Sequence, residues 1–139
     1  MLKVQTYLDR STVHGIGIFA AEDIPAETVV WEFNPHVDLV YTPEEWGTLS
    51  TCISAQSFAV LKRYSYKEEG NYYLCLDNAQ FMNHSATGYN VENFREANRM
   101  SACCDIRKGD ELLCNYFQYS DKDDEHVLFL LAAGESDIE

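Results

Sequence analysis

The chain has 139 residues, 46% of them apolar and including nine tyrosines and seven phenylalanines, which suits one globular domain with a modest core. Ten basic residues against 23 acidic ones leave a formal charge of −13, so the basic footprint of direct nucleic-acid binding is missing and a basic protein or peptide is the better partner. No apolar run approaches membrane-spanning length, and five cysteines without a C-x-x-C pair point to free thiols rather than to a zinc site.

Met1 to Leu8 alternates polar and apolar residues and reads as a first strand, followed by a turn at 10–12. Gly15 and Gly17 flank Ile16, and Ile18-Phe19-Ala20 continues as strand. Two glycines at i and i+2 let a backbone bend or approach a ligand closely. In a dinucleotide-binding fold such a pair opens a helix. Here a strand and then the turn Asp23-Ile24-Pro25 follow, which speaks against that fold. Glu27 to Phe33 is a β-branched run ended by Asn34-Pro35, and Val37 to Tyr41 is another short strand. Thr42-Pro43-Glu44-Glu45 carries a helix start, with Thr as cap, Pro at the first position and Glu where a capping box needs it. Trp46, Leu49 and Ile53 then share one helical face, and helix resumes through Phe58, Leu61 and Lys62. Tyr64 to Tyr66 is extended, and a polar turn over 67–71 leads to the strand Tyr72 to Leu76.

Next comes Asp77-Asn-Ala-Gln-Phe-Met-Asn-His-Ser85, in which Asn83, His84 and Ser85 follow the apolar pair Phe81-Met82. Polar side chains after an apolar anchor are placed to face a ligand, although the triplet by itself is also ordinary turn chemistry. A loop at 86–88 precedes strand, turn and strand over 89–94, 95–98 and 99–104. A tight turn at 107–110 leads to a last strand, Glu111 to Tyr116. Acidic residues at 121–124 open a helix over about 122–134 that Gly134 closes. The class is mostly β with short helices, without repeats, linkers or low-complexity tracts.

Three blocks in order carry a resemblance: His14-Gly15-Ile16-Gly17-Ile18-Phe19-Ala20, then Gln80-Phe81-Met82-Asn83-His84-Ser85, then Gly109-Asp110-Glu111-Leu112-Leu113-Cys114-Asn115-Tyr116. Together they resemble the SET domain, the catalytic module of protein lysine methyltransferases, over about 12–119. The resemblance implies one SET domain across 1–139, with a core over about 2–119 and the helix beyond it. It implies several small curved sheets and a C-terminal pseudoknot, a fold of β-clip type. It also implies S-adenosylmethionine as cofactor, S-adenosylhomocysteine as product, and the ε-amine of a protein lysine as acceptor, with histones among the candidate substrates.

The departures are Gln80 in place of an Arg, Ala86 in place of a frequent Cys, and Asn115 in place of a frequent Asp. No Cys follows Cys114 in the sequence, so neither the zinc-binding module found after the catalytic Tyr in several relatives nor a metal is expected. The terminal helix, with Val127, Leu128, Phe129 and Leu130, is the candidate for the channel wall which that module supplies elsewhere.

Methyl transfer from a sulfonium leaves the protein little covalent chemistry, only binding and orientation. By the resemblance, Tyr116 is the catalytic candidate, its hydroxyl aligning the amine. Gly15, Ile16, Gly17, Asn83 and His84 are the cofactor-binding candidates, Asn83 for the amino-acid end and His84 through its backbone. Cys114, Tyr66 and Tyr119 are candidates for the substrate channel, Tyr64 being a weaker one. Along a strand Cys114 and Tyr116 face one side, and a small Cys there leaves room for successive methylations. Free thiols and the lack of an apolar leader give an expected location inside the cell, in cytoplasm or nucleus; the expected assembly is a monomer or homodimer. The rival reading is a noncatalytic SET-like peptide-binding or scaffold domain.

Overall fold

The computed structural model describes residues 1–136 and begins with a hairpin, in which β1 (Thr6–Arg10) pairs antiparallel with β2 (Ile16–Ala20). The alternating pattern of residues 1–8 is a strand only from Thr6 onward. Before it, Leu2 bridges to Trp31 and the Lys3 amide donates to Val30. β3 (Val29–Glu32) and β4 (Asp38–Tyr41) follow. The next elements are α1 (Pro43–Cys52), α2 (Ala55–Tyr64), β5 (Ser65–Glu68) and β6 (Asn71–Cys75). The remainder comprises β7 (Asn83–His84), β8 (Val91–Phe94), β9 (Arg99–Ala102), β10 (Leu113–Cys114) and α3 (Glu125–Ala132).

These strands form three small sheets, with orders β1-β2, β3-β9-β8-β10-β7 and β4-β6-β5. A core of Ile18, Ile24, Val30, Val91, Ile106, Leu112 and Cys114, all fully buried, ties the hairpin to the five-stranded sheet. Each such aliphatic side chain contributes about 1.5–3 kcal/mol through burial. Local signals decide α1. The Thr42 hydroxyl accepts the Glu45 amide and the Glu45 carboxylate accepts the Thr42 amide, so the capping box is complete. The helix lays Trp46 flat on Tyr72, with ring centroids 4.7 Å apart and planes 6° from parallel, and thereby docks on the β4-β6-β5 sheet.

β10 positions the site. It enters between β7 and β8, parallel to both, although those two strands precede it and are joined by the loop 85–90. This is the crossing that the resemblance implies. Asn90 clasps it: its Oδ1 accepts the Leu113 amide at 2.9 Å and its Nδ2 donates to the Glu111 carbonyl at 2.8 Å. The strand expected over 111–116 is therefore only two residues long. Asn115 stops it by accepting the Phe117 amide on its side chain, which starts a 3-10 turn over Tyr116–Gln118. The expected helix over 122–134 is likewise shorter, because the Asp124 carboxylate caps the amides of His126 and Val127.

β5 is an edge strand whose outer side is closed by acids. Asp121 accepts the amides of Glu69 and Gly70 and donates its own to Lys67, while Asp124 accepts the Lys67 amide at 2.6 Å. α3 is thus tied back against the middle of the chain. Among the described residues no helix is long and apolar enough to cross a membrane.

Candidate functional site

The two early blocks and the late one meet at Asn83. Its Nδ2 donates to the carbonyls of His14 (2.9 Å) and Ile16 (3.2 Å) and to Oε1 of Glu111 (3.0 Å). Glu111 Oε2 accepts the Ser11 hydroxyl at 3.0 Å. Three acceptors around Nδ2 fix the orientation of the amide, and Asn83 Oδ1 accepts no hydrogen bond among the described residues. The two glycines act differently here. Gly15 has φ +53°, a bend that favours glycine, whereas at Gly17 a side chain would overlap the Glu111 carboxylate. At Gly17 the absent side chain leaves room for Glu111, and the residue is buried beside it.

His84 and Tyr116 form the next layer. The Tyr116 amide donates to His84 Nδ1 at 3.0 Å, so Nδ1 carries no proton. The ring proton therefore sits on Nε2, which faces Glu135 Oε2 at 3.0 Å. Burial pushes the His84 pKa down and the Glu135 carboxylate opposes that shift, so the net effect favours the neutral ring. The Tyr116 hydroxyl donates to the Met82 carbonyl at 2.9 Å, and burial holds its pKa well above the ordinary tyrosine value.

Two cavities share Tyr116 as a wall. One is narrow, about 70 Å³, and is lined by Tyr66, Cys114, Tyr116 and Tyr119 together with Glu68 and Met82. Here the Tyr119 ring stands edge-on to Tyr66 at 5.0 Å and to Tyr116 at 6.0 Å. Its hydroxyl lies 3.6 Å from Cys114 Sγ, and burial pushes the Cys114 thiol up to about 12. Arg95 Nε donates to the lining residue Glu68 at 3.2 Å, and Nη2 donates to the Tyr119 carbonyl at 2.7 Å. The other cavity is wide, about 730 Å³, and is lined by His14, Gly15, Ile16, Asn83 and His84 on one side and by Phe129, Leu130 and Glu135 on the other. That volume falls within the usual range for ligand pockets, about 300–1,000 Å³.

The candidates therefore separate into two groups. Tyr66, Cys114 and Tyr119 lie on the narrow cavity, while Gly15, Ile16, Asn83 and His84 lie on the wide one. Tyr116 lies on both, and Gly17 stands behind the wall. From α3 only His126 reaches the narrow cavity. Phe129 and Leu130, two of the residues expected to form a channel wall, line the wide one. Sequence reasoning missed His126, Arg63 and Glu135. His126 Nε2 lies 3.1 Å from the Ser65 carbonyl and 3.2 Å from that of Lys62, contacts more than sixty residues away in sequence. Among the described residues no cluster of three His, Cys, Asp or Glu side chains is placed to hold a metal ion.

A family model described as the SET domain matches residues 15–117. No curated protein matches the sequence. Among solved structures, a Plasmodium falciparum protein assigned as a histone methyltransferase shares 22% identity at a TM-score of 0.54, over 83% of this chain and 95% of that one. The Neurospora SET domain protein DIM-5, a histone lysine methyltransferase, shares 18% at 0.56, over 83% of this chain and 53% of that one. A humanized mutant of the Chaetomium thermophilum Polycomb Repressive Complex 2 shares 20% at 0.59, over 85% of this chain and only 16% of that one. At these identities the structural likeness concerns the fold. The family model covers most of the chain, and all three sequence blocks converge on one knot, so the chain belongs to the SET-domain family.

Proposed function

We propose that the protein is a protein-lysine N-methyltransferase that uses S-adenosylmethionine and acts on a basic protein or peptide. The observation that carries this reading is the position of Tyr116 on the wall common to a wide cavity and a narrow, tyrosine-lined one. A cofactor on one side and a lysine on the other would meet at its hydroxyl.

The residues fit the cofactor. The wide cavity has the volume, Asn83 Oδ1 is an open acceptor for an ammonium, and Phe129, 73% exposed, offers an apolar face at its edge. Asn83, His84, Gly15 and Ile16 would hold it. When bound, the cofactor supplies an electrophilic methyl group. The chain supplies position. The Tyr116 hydroxyl spends its proton on the Met82 carbonyl, so its oxygen is left to accept an N–H of the incoming amine and to orient the nitrogen lone pair. Its raised pKa keeps that hydroxyl neutral. The narrow bore around Tyr66 and Tyr119 would surround the amine with aromatic walls.

The test is transfer of labelled methyl groups to a panel of basic peptides and intact histones, read by mass spectrometry. Methylated lysine is expected, at a rate rising from about pH 7 to about pH 9, because a lysine amine with a reference pKa near 10.4 attacks only when neutral. Cofactor binding with no transfer to any member of the panel would instead support a peptide-binding scaffold.

A further inference from the structure

Among the described residues the wide cavity is lined by one permanently charged cation, Arg63, from the last turn of α2. It also lines the narrow cavity, so it stands where the two spaces join, beside Gln80 and Tyr116. Among the described residues it has neither an ion-pair partner nor a hydrogen bond. Its neighbour Lys62 differs: it pairs with Glu125 at 2.8 Å and has no place on the wide cavity. Among the described residues the one carboxylate on the wide cavity, Glu135, is engaged by His84. A guanidinium facing a cavity in a chain of net charge −13, with no carboxylate among the described residues paired to it, is arranged to receive an anion from outside.

Asn83 provides the complement. Its Nδ2 is fully used inside the protein, while its Oδ1 is open to the same cavity. An acceptor and a guanidinium lining one cavity match the two ends of a free amino acid, ammonium on Asn83 and carboxylate on Arg63. Gln80, three residues before Asn83, is neutral and cannot supply the positive charge.

We propose that Arg63 binds the carboxylate of the cofactor's amino-acid end, a role that α2 brings to the site from outside the three sequence blocks. This rests on the reading of the wide cavity as the S-adenosylmethionine site. It deepens that reading by assigning a residue to one functional group of the ligand. Arg63 is exposed on α2, so its replacement leaves the fold unburdened.

The experiment is calorimetric titration of wild type, Arg63→Gln and Arg63→Lys with S-adenosylmethionine and with its decarboxylated analogue. Thermal melts run alongside. Wild type should bind the full cofactor about ten- to a hundredfold more tightly than the analogue, the range for a charge-assisted contact. Arg63→Gln should bind both equally, at the level wild type shows for the analogue. Arg63→Lys should fall between, because the point charge survives without the fork. If Arg63→Gln still prefers the carboxylate by the wild-type factor, or if wild type binds the two ligands equally, Arg63 does not hold that group, although the cavity remains a cofactor site. If wild type binds neither ligand, the cavity is not a cofactor site and the assignment of Arg63 falls with it.

Discussion

The imidazole of His84 accepts the backbone amide of Tyr116 at 3.0 Å, and the two rings lie 5.0 Å apart. A side chain from the central block thus fixes the backbone of the residue on which the proposed chemistry depends. The bond requires an unprotonated Nδ1. Protonation would set two donors against each other and release Tyr116.

This gives a pH signature. The folded pKa of His84 is lowered, chiefly by burial and against the opposing Glu135. Between that value and the unfolded value of about 6.5, the unfolded chain binds a proton that the folded one does not. Stability is full above about 6.5 and declines as pH falls through this window. His84→Asn places a carbonyl oxygen where Nδ1 stood and cannot titrate. Melting curves from about pH 8 to about pH 5 should show a smaller decline for the variant than for wild type. Equal declines would exclude His84 as the titrating group.

Tyr116→Phe removes the hydroxyl that donates to Met82, in a side chain that otherwise keeps its packing. Turnover should fall about a hundredfold or more, as for loss of one oriented group in a reacting site. Affinity for the cofactor should change little. The orphaned Met82 carbonyl should lower stability by about 1–3 kcal/mol. Parallel kinetics, titration and melts check the three effects independently.

The room expected from a small residue at 114 is taken up by Tyr119, whose hydroxyl lies 3.6 Å from Cys114 Sγ. Tyr119→Phe should therefore widen the channel and shift products towards more methyl groups per lysine. Cys114→Tyr would force a second phenol into a fully buried position and should cost about 1–3 kcal/mol through overpacking. Product mass spectra and melts of both variants decide this. An unchanged product distribution in Tyr119→Phe would remove Tyr119 as the limiting group.

Thiol accessibility gives a check on the packing. Cys52, Cys103 and Cys104 are exposed, while Cys75 and Cys114 are buried. Burial pushes both buried thiols well above the ordinary value, Cys114 to about 12, so neither forms a thiolate near neutral pH. An aromatic disulfide reagent should titrate the three exposed thiols in the native protein, and the remaining two only in denaturant. Rapid native reaction of Cys114 would contradict the closed channel wall.

What sequence could reveal divides by the reach of the interaction. The α1 start is readable because a capping box operates within four residues, and Gly134 closes α3 by the same kind of local geometry, at φ +87°. The three blocks are readable as a set because each keeps its residue types in order. The short β10 was not foreseen, since the Asn115 side chain competes for the Phe117 amide and the apolar pattern does not register that competition. The link between His84 and Glu135 spans 51 residues, and no local rule joins them. Arg63 was equally hidden. On the helix it reads as one more exposed cation, and only the packing of α2 places it at a cavity.

The insertion of β10 between β7 and β8 also dictates an order of assembly. Neither neighbouring strand can complete its hydrogen bonds until a segment from much later in the chain has passed into the gap between them. Closing such distant pairings costs chain entropy before any contact rewards it, so the last step should be slow compared with formation of the β1-β2 hairpin or of α1. Tyr116 follows β10 directly and reaches its place only at that step. Under the proposed activity, a partly folded molecule would lack its aligning tyrosine, and the first appearance of methyl transfer during refolding would mark the moment at which the last strand is threaded.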